Sequence, residues 1–257
     1  MVTKSKIMNI IKPSSPMRSN PKHTSGLETE CLFGEIVEIL EINMDWYLCK
    51  LATDKYIGWV HSQSLGCLPI PTHRVISLRS FLYENMDIKS RLIQYVPLGA
   101  QLSIRSIQDK WSVVLLSEKN NDIAYIPSDD IVAFDHVIND WVSIAELCVS
   151  TPYKWGGRDT MGLDCSALLQ LSYQTYGKVI PRNTSEQVKL KKTTLKKIEN
   201  LKRGCVVFWE GHVGIMTDKI NCIHANAFHM KTVTEPLINI IKRLEKNYGI
   251  TKMMDFN

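Results

Sequence analysis

Apolar and polar residues alternate at strand spacing through most of the first half of the chain. Residues 46–51 and 56–60 both show this alternation. After a linker that contains prolines, residues 72–133 repeat the plan, and their segment 111–115 again begins with a tryptophan. Two consecutive modules of about 60 residues, each with a tryptophan-bearing strand, predict two small all-β barrels, which close their own sheet edges.

The first 22 residues lack this regular pattern. Pro13 and Pro16 interrupt them, so we expect residues 1–22 to form a loosely ordered tail. The mostly apolar segment 7–11 is interrupted by an asparagine and is too short for the core of a signal peptide. No run approaches the ~18 apolar residues of a membrane span. We therefore expect a cytoplasmic protein without a membrane partner.

From about residue 135 the pattern changes to that of an α+β unit. Asp140 is a candidate cap for a helix over 141–149, and the spacing of apolar residues predicts a second helix over 165–176, ended by Gly177. Four further segments are typical of consecutive antiparallel strands: 204–209, 212–217, 220–225 and 231–233. Helices followed by such a sheet form an α+β arrangement.

Composition and charge narrow the class of protein. The chain has 257 residues, 44% of them hydrophobic and 22% charged, which fits a globular protein of two or three domains. Its net charge of +5 is concentrated in residues 189–203. We interpret this basic run as a solvated face, with attraction of an anionic substrate as the alternative. No aromatic residues interleave its lysines, so no nucleic-acid partner is expected.

One cysteine has the setting of a nucleophile. The seven cysteines form no C-x-x-C pair, a pattern that favours free thiols in a reducing compartment. Cys165 stands where the glycine-rich loop 156–164 gives way to a predicted helix. The unpaired N–H groups of a first helical turn stabilise a thiolate. An ordinary cysteine at a helix start is an equally good interpretation of this residue alone.

Two histidines strengthen the catalytic interpretation. His212 opens one predicted strand and His224 ends the next. A three-residue hairpin loop at 217–219 would place the two directly opposite each other, whereas an even-length loop would place them on opposite faces. On one face, His212 becomes the base for Cys165 and His224 orients it. A zinc site that also used Cys222 has poor ligand spacing, so neither metal nor cofactor is expected.

The order and spacing of six segments resemble the NlpC/P60 family of papain-like cell-wall peptidases over residues 135–257. These segments are TPYKWGG (151–157), LDCSA (163–167), PRNT (181–184), LKRGCVVF (201–208), GHVGI (211–215) and IHAN (223–226). The modules at 23–71 and 72–134 resemble bacterial SH3 domains, through Gly34–Glu35 and the paired tryptophan strands. Behind the tail, the resemblance therefore implies two SH3-like barrels and a papain-like catalytic domain.

The resemblance also implies an activity and its residues. Members of the family cleave the bond between γ-D-glutamate and the diamino acid of peptidoglycan peptides. By position, Cys165 is the nucleophile, His212 the base and His224 the third polar residue. Tyr153 corresponds to a tyrosine beside the nucleophile that assists the oxyanion or the substrate. Trp155 and this tyrosine are alternatively packing residues of their loop.

Recognition of the substrate amine is the further implication. Asp164 and Ser166 correspond to residues that meet the free amine of an N-terminal L-Ala, and Asp164 is alternatively a helix cap. The first SH3-like unit would restrict entry to short peptides, with an acid such as Glu28, Glu30 or Glu35 as a further amine contact. Of these acids, Glu35 is included in the predicted site.

Two positions depart from the family pattern, and other functions stay open. Ala167 stands where glycine is usual and Cys205 where aspartate is usual, and neither change removes a reacting group. The expected substrate is a released murein peptide such as L-Ala-γ-D-Glu-diaminopimelate, handled in recycling. The alternatives are a wall- or partner-binding module with a secondary catalytic unit, and a cysteine-dependent acyltransferase. The oligomeric state is left open.

Overall fold

A computed structural model of the chain describes residues 6–244 and 249–257. The chain divides into two compact units, residues 1–137 and 138–257. In the described part of the chain, no helix has the length and apolar character needed to cross a membrane.

The first half of the N-terminal unit is a seven-stranded antiparallel sheet in the order β3-β2-β6-β5-β4-β1-β7. Its strands are β1 (Lys6–Ile10), β2 (Ser14–Arg18), β3 (Leu27–Leu32), β4 (Ile36–Asn43), β5 (Trp46–Leu51), β6 (Ile57–His61) and β7 (Leu65–Gly66). The strands predicted at 46–51 and 56–60 are therefore present. Their inward residues Cys49, Leu51 and Val60 are fully buried in the core of this half.

The prediction of a loose tail over residues 1–22 is wrong for the residues from Lys6 onward. Ile10 of β1 and Met17 of β2 are fully buried in the same core. The prolines suggested a break, but Pro16 is accommodated within β2, where it pairs with Glu30 of β3. Residues 1–5 of the predicted tail lie outside the described residues.

The second half of the N-terminal unit contains eight shorter strands in two sheets. They are β8 (His73–Val75), β9 (Arg79–Tyr83), β10 (Leu92–Pro97), β11 (Gln101–Leu102), β12 (Ile104–Gln108), β13 (Trp111–Ser117), β14 (Asp122–Pro127) and β15 (Ile131–Ala133). The sheet orders are β10-β9-β14-β13-β12 and β11-β8-β15. Residues from both sheets, among them Leu82, Val114 and Ile131, share one hydrophobic core.

The two halves of the N-terminal unit join at Phe33 and Gly34. Phe33 is buried in the core of the second half, and its carbonyl accepts the Gln101 N–H at 2.8 Å. Gly34 has a φ of +79°, and a Cβ at this position would lie 1.8 Å from the Gln101 carbonyl oxygen. Glycine is required here both for its backbone conformation and for the close approach.

The C-terminal unit combines a six-stranded sheet, in the order β18-β23-β19-β20-β21-β22, with helices. Its elements are α1 (Val142–Leu147), β16 (Arg158–Asp159), β17 (Gly162–Leu163), α2 (Cys165–Gln174), α3 (Thr184–Gln187), β18 (Thr193–Leu195), β19 (Cys205–Trp209), β20 (His212–Met216), β21 (Asn221–Asn226), β22 (Lys231–Pro236), α4 (Leu237–Leu244) and β23 (Lys252–Asp255). All ten residues of α2 are buried, and this helix packs against β20 and β21.

The two helices and four strands predicted in this unit are present, although several of their ends differ. The helix predicted over 165–176 is α2, and Gly177 has the expected positive φ of 75°. The four predicted strands are β19 to β22. Asp140, however, does not cap α1 with its side chain; the cap residue is Trp141, and the Asp140 carboxylate pairs with Arg203.

Candidate active site

Cys165 is the first residue of α2, and the residue before it caps the helix. Asp164 has an extended backbone, with a φ of −100°, and its Oδ1 accepts the Ala167 N–H at 2.8 Å. Its Oδ2 accepts the Gly156 N–H at 3.1 Å, which ties the glycine-rich loop to the helix start. The predicted cap is therefore present, and it fixes the position from which the thiol projects.

A buried arginine holds Asp164 and Ser166 in place. Arg182 is 2% exposed, and its Nη2 lies 2.6 Å from Asp164 Oδ2. Its Nη1 donates to Ser166 Oγ at 2.6 Å, and the Ser166 hydroxyl donates to Asp164 Oδ1 at 3.0 Å. Both residues thus flank Cys165, as predicted, but their polar atoms are engaged within the protein. Their contact with a substrate amine stays a prediction.

The thiol of Cys165 lies between the start of β20 and the start of α3. Its Sγ accepts hydrogen bonds from the Val213 N–H and from the Thr184 hydroxyl. Burial, followed by the charge of Asp164, raises the pKa of the thiol to about 11. The resting group is therefore a neutral thiol, held beside the residue that follows His212.

His212 and His224 meet on one face of the sheet. The hairpin turn at Glu210 and Gly211 brings His212 to the start of β20, and its Nε2 lies 2.8 Å from His224 Nδ1. The predicted pairing of the two residues directly across the ladder is wrong, because Met216 pairs with Cys222 and the loop is 217–221. This loop is still odd in length, so the two histidines share a face and meet diagonally.

Gly214 makes this diagonal contact possible. In the register of β20 and β21, Gly214 lies opposite His224. A Cβ on Gly214 would come within 2.5 Å of Cys222 Sγ and 3.6 Å of His224 Cβ. The missing side chain thus leaves room for His224 to lean along the sheet towards His212.

His212 is uncharged at neutral pH. Burial, with the neighbouring His224 and Arg243 groups, lowers its pKa to about 3. Burial also lowers the pKa of His224, against the raising effect of its hydrogen bond to Glu235. A neutral imidazole beside a neutral thiol can accept the thiol proton as the sulfur attacks, which is general-base activation of a nucleophile.

Behind His224 the structure places a carboxylate that the sequence analysis missed. Glu235 Oε1 lies 2.9 Å from His224 Nε2, and Arg243 binds the same carboxylate through both terminal nitrogens. His224 pairs with Val233 in the ladder, so Glu235 follows on the same face. Alternation along the strand that begins at residue 231 could have placed Glu235 on the same face as Val233. The predicted strand, however, ended at residue 233.

Tyr153 lies near the nucleophile with its hydroxyl protonated. Burial raises the pKa of Tyr153 to about 12, and the charges of Cys165 and Asp164 act in the same direction. Its backbone is held by an N–H donated to the Met230 carbonyl at 2.9 Å. Trp155, two residues along the loop, is 74% exposed, which argues against its alternative role as a packing residue.

Glu35 belongs to the N-terminal unit and is fully buried there. Its carboxylate accepts the Leu32 N–H at 2.8 Å and the Thr53 hydroxyl at 3.3 Å. These contacts favour a structural role for Glu35 in its own unit, and an amine contact stays a prediction. Among the other acids considered, Glu30 is also buried, whereas the exposed Glu28 accepts the Tyr56 hydroxyl.

Comparison with known proteins shows which families the two parts of the chain resemble. Residues 150–255 match the NlpC/P60 family, and residues 17–65 match the bacterial dipeptidyl-peptidase SH3 domain. The chain is similar to Dipeptidyl-peptidase 6 of Lysinibacillus sphaericus, 32% identical over 84% of this chain and 86% of the relative. It is also similar to Gamma-D-glutamyl-L-lysine dipeptidyl-peptidase of Bacillus subtilis (strain 168), 22% identical over 82% of this chain and 77% of the relative.

A solved structure shares the whole fold. An NlpC/P60 family protein from Bacillus cereus ATCC 10987 superposes with a TM-score of 0.83, at 19% identity, over 98% of this chain and 99% of that chain. A match of this length covers both units, and the SH3 match shows that the first of them begins with a bacterial SH3 domain. The chain carries a thiol and two histidines in its candidate site and is similar to these proteins. It therefore belongs to the NlpC/P60 family of cysteine peptidases.

Proposed function

We propose that the protein hydrolyses the bond between γ-D-glutamate and a diamino acid in peptidoglycan-derived peptides that carry a free N-terminal L-Ala. The observation that carries this proposal is the thiol of Cys165 at the start of α2, hydrogen-bonded by the Val213 N–H beside the His212–His224 pair. The similarity to a Bacillus subtilis protein named for γ-D-glutamyl-L-lysine supports the choice of bond.

The reaction proceeds in two steps on the same groups. In the first, Cys165 Sγ bonds to the scissile carbonyl carbon while His212 takes the thiol proton. The carbonyl oxygen becomes an oxyanion near the Tyr153 hydroxyl and the start of α2, both of which favour negative charge. When the C–N bond breaks, His212 returns the proton to the leaving amine, and an acyl thioester stays on Cys165.

Water completes the cycle. His212, again neutral, takes a proton from a water molecule as the water oxygen attacks the thioester carbon. The C–S bond breaks, the sulfur recovers the proton from His212, and the dipeptide leaves with a free carboxylate. His212 thus returns each proton that it removes within the same step, and neither step requires a cofactor.

We propose two finer features of the fold on the same basis. Residues 73–133 form a second SH3-like barrel, supported by two sheets that share one core. The C-terminal unit has the papain-like arrangement, in which a nucleophile at a helix start faces a histidine on an antiparallel sheet, supported by the position of α2 against β20 and β21. A crystal structure that showed open sheets at residues 73–133 would contradict the first feature.

The substrate is tested with the defined tripeptide L-Ala-γ-D-Glu-diaminopimelate. We expect cleavage to L-Ala-γ-D-Glu and diaminopimelate, measured by mass spectrometry, and no turnover by the Cys165→Ala variant. The matched control is Cys67→Ser, which changes an exposed thiol of the N-terminal unit and should leave the rate unchanged. Full activity of Cys165→Ala would contradict the mechanism.

The requirement for a released peptide is tested separately. We propose that the natural substrate is a short murein peptide recycled in the cytoplasm, in which case the N-acetylated tripeptide and polymeric wall should both be poor substrates. Cleavage of polymeric wall at the rate of the free tripeptide would contradict the recycling role and leave the bond specificity intact.

A further inference from the structure

Four nitrogen atoms converge on the carboxylate of Glu235. Its Oε1 lies 2.9 Å from His224 Nε2, 3.2 Å from His229 Nε2 and 2.9 Å from Arg243 Nη1, and its Oε2 lies 2.5 Å from Arg243 Nη2. The Glu235 side chain is 14% exposed and the His224 side chain 2% exposed. A carboxylate so surrounded acts as an acceptor in each of these contacts, because arginine has only donors to offer.

We propose that Glu235 is a positioning residue that fixes which ring nitrogen of His224, and through it of His212, carries the proton. This proposal rests on the proposed function for the role of His212 as base. Glu235 is on β22, next to the strand of His224, and Arg243 of α4 anchors it from the other side. It acts on Cys165 through two rings and makes no contact with the reacting atoms.

The chain of hydrogen bonds has one consistent direction. Because Glu235 accepts at His224 Nε2, that nitrogen carries the ring proton and His224 Nδ1 is left with a lone pair. Nδ1 then accepts from His212 Nε2 across the 2.8 Å contact. His212 Nε2 is therefore protonated, and the lone pair of its other nitrogen, Nδ1, is the one left to take the thiol proton from Cys165.

The charged and titratable groups around this chain support the assignment. Burial would raise the pKa of Glu235, but the hydrogen bond from His224 and the charge of Arg243 hold it below its usual range, so the carboxylate stays an acceptor. Within the described residues, Cys222 and His229 are further titratable neighbours of this carboxylate. Asn226 Nδ2 lies 3.2 Å from His224 Nε2 and donates to the His224 carbonyl.

The variant Glu235→Gln should reverse the protonation of both histidine rings. An amide has one acceptor and one donor group, and Arg243 can bind only the acceptor. The amide NH₂ then faces His224 Nε2, which favours the ring form protonated at Nδ1. Two donors cannot face each other between the rings, so His212 is driven to the form protonated at Nδ1, which has no lone pair for the thiol.

The direct test is ¹⁵N NMR of the histidine rings in the full-length protein at neutral pH, where the two ring nitrogens of each tautomer have distinct shifts. In the native protein we expect protonation at Nε2 in both His212 and His224. In Glu235→Gln we expect both to change to Nδ1, and in Glu235→Asp, which keeps a carboxylate, the native form. Native His224 protonated at Nδ1 would overturn the proposal without any variant being needed.

Kinetics on the tripeptide provide the second readout. For Glu235→Gln we expect kcat to fall about 100-fold or more with KM nearly unchanged, because a general base contributes about 10²–10⁴ to the rate, and Glu235→Asp should recover part of the loss. The matched control is Glu146→Gln, whose carboxylate also binds an arginine, Arg203, at 2.7 Å but contacts no histidine of the site. It should keep native kcat and native ring shifts.

The outcomes separate this proposal from the proposed function. If the native protein does not cleave the tripeptide but the ring shifts behave as expected, the substrate assignment fails and the role of Glu235 stands. If the tripeptide is cleaved and a folded Glu235→Gln variant keeps native shifts and native kcat, the role of Glu235 is overturned and the peptidase activity stands.

Discussion

Cys165 and His212 are each uncharged at neutral pH, and burial is the main reason for both. The thiol has a pKa of about 11 and the imidazole a pKa of about 3, so charge separation occurs only as the sulfur attacks. Hydrogen bonds from Val213 and Thr184 to the sulfur lower the thiol pKa without cancelling the effect of burial. In the proposed mechanism, a bound substrate excludes water and supplies the carbonyl carbon that the sulfur attacks. The thiol proton then moves to His212.

The buried, neutral His212 predicts how the stability of the protein changes in acid. In the unfolded chain His212 titrates near its ordinary pKa of 6.5, whereas in the folded protein it stays neutral down to about 3. Between these values the unfolded state binds the extra proton, so the free energy of unfolding falls as the pH falls from 6.5 towards 3. In His212→Gln this fall should be shallower, as measured by urea unfolding at pH 7.0, 5.5 and 4.0.

The control for this prediction is His136→Gln, which removes an exposed histidine. Its stability should follow the pH dependence of the native protein. Equal slopes for the native protein and His212→Gln would show that His212 is not held neutral in the folded state.

The second residue-scale prediction concerns Tyr153. Its pKa of about 12 keeps the hydroxyl protonated over the working range of pH, so it can donate to the oxyanion throughout. For Tyr153→Phe we expect kcat on the tripeptide to fall about 100-fold, because an oxyanion donor is lost in the transition state. KM should change little. A raised KM with native kcat would instead assign Tyr153 to substrate binding.

Motif spacing picked out the candidate site residues but not the residues that hold them in place. Cys165, His212 and His224 are identified by motif spacing because helix starts and strand ends are local features. Arg182 and Glu235 act across distances of 18 and 11 residues to their partners, and only the folded sheet and loop bring them to Asp164 and His224. Long-range ion pairs of this kind leave no periodic pattern in a single chain.

At the scale of the element, β20 and β21 carry the site through their register. The sequence predicted the shared face of the two histidines but not the diagonal contact, because the loop conformation depends on Asp218. Its Oδ1 accepts the N–H groups of Ile220 and Asn221, and these contacts hold the turn that leads into β21. The ladder therefore begins at Met216 and Cys222.

The element-scale prediction tests the space at Gly214. In Gly214→Ala the new methyl would lie 2.5 Å from Sγ of the fully buried Cys222, so one of the two must shift. We expect His224 to be displaced, with loss of its contact to His212 and a fall in kcat of about tenfold or more, as expected for a misplaced catalytic group. Tripeptide turnover and the His212 and His224 ring shifts measure the effect.

The compensating variant is Gly214→Ala with Cys222→Ala, which removes the sulfur that the methyl meets. Activity should return towards the native value in this double variant, while Cys222→Ala alone should be nearly native in turnover. If the double variant is as impaired as Gly214→Ala, backbone flexibility rather than space accounts for the glycine.

Two strands of the same sheet were not predicted from the sequence. β18 and β23 lie side by side at one edge, beside β19, although about 60 residues separate them in the chain. Both are short, and neither alternates clearly between apolar and polar residues. Pairing with a distant strand, rather than local propensity, determines that they are extended.

At the scale of the whole molecule, the N-terminal residues are part of a core rather than an appendage. β1 lies between β4 and β7, and β2 lies between β3 and β6, so their removal would break the seven-stranded sheet in two places. Deleting residues 1–22 should therefore unfold the first half of the N-terminal unit, seen as rapid proteolysis within residues 23–71.

The matched control deletes residues 1–5 and leaves β1 intact. This shorter deletion should retain native resistance to protease. If both deletions are equally resistant, the buried positions of Ile10 and Met17 contribute little to the stability of the unit.

The neutral state of the Cys165 thiol has a consequence for the chemical durability of the protein. Peroxides and small electrophiles react with the thiolate, and a thiol with a pKa of about 11 offers them almost none at neutral pH. Reactivity is thereby reserved for a ligand that occupies the site and draws the proton onto His212. We therefore expect an electrophile that depends on a free thiolate to modify Cys165 slowly unless it also fits the site.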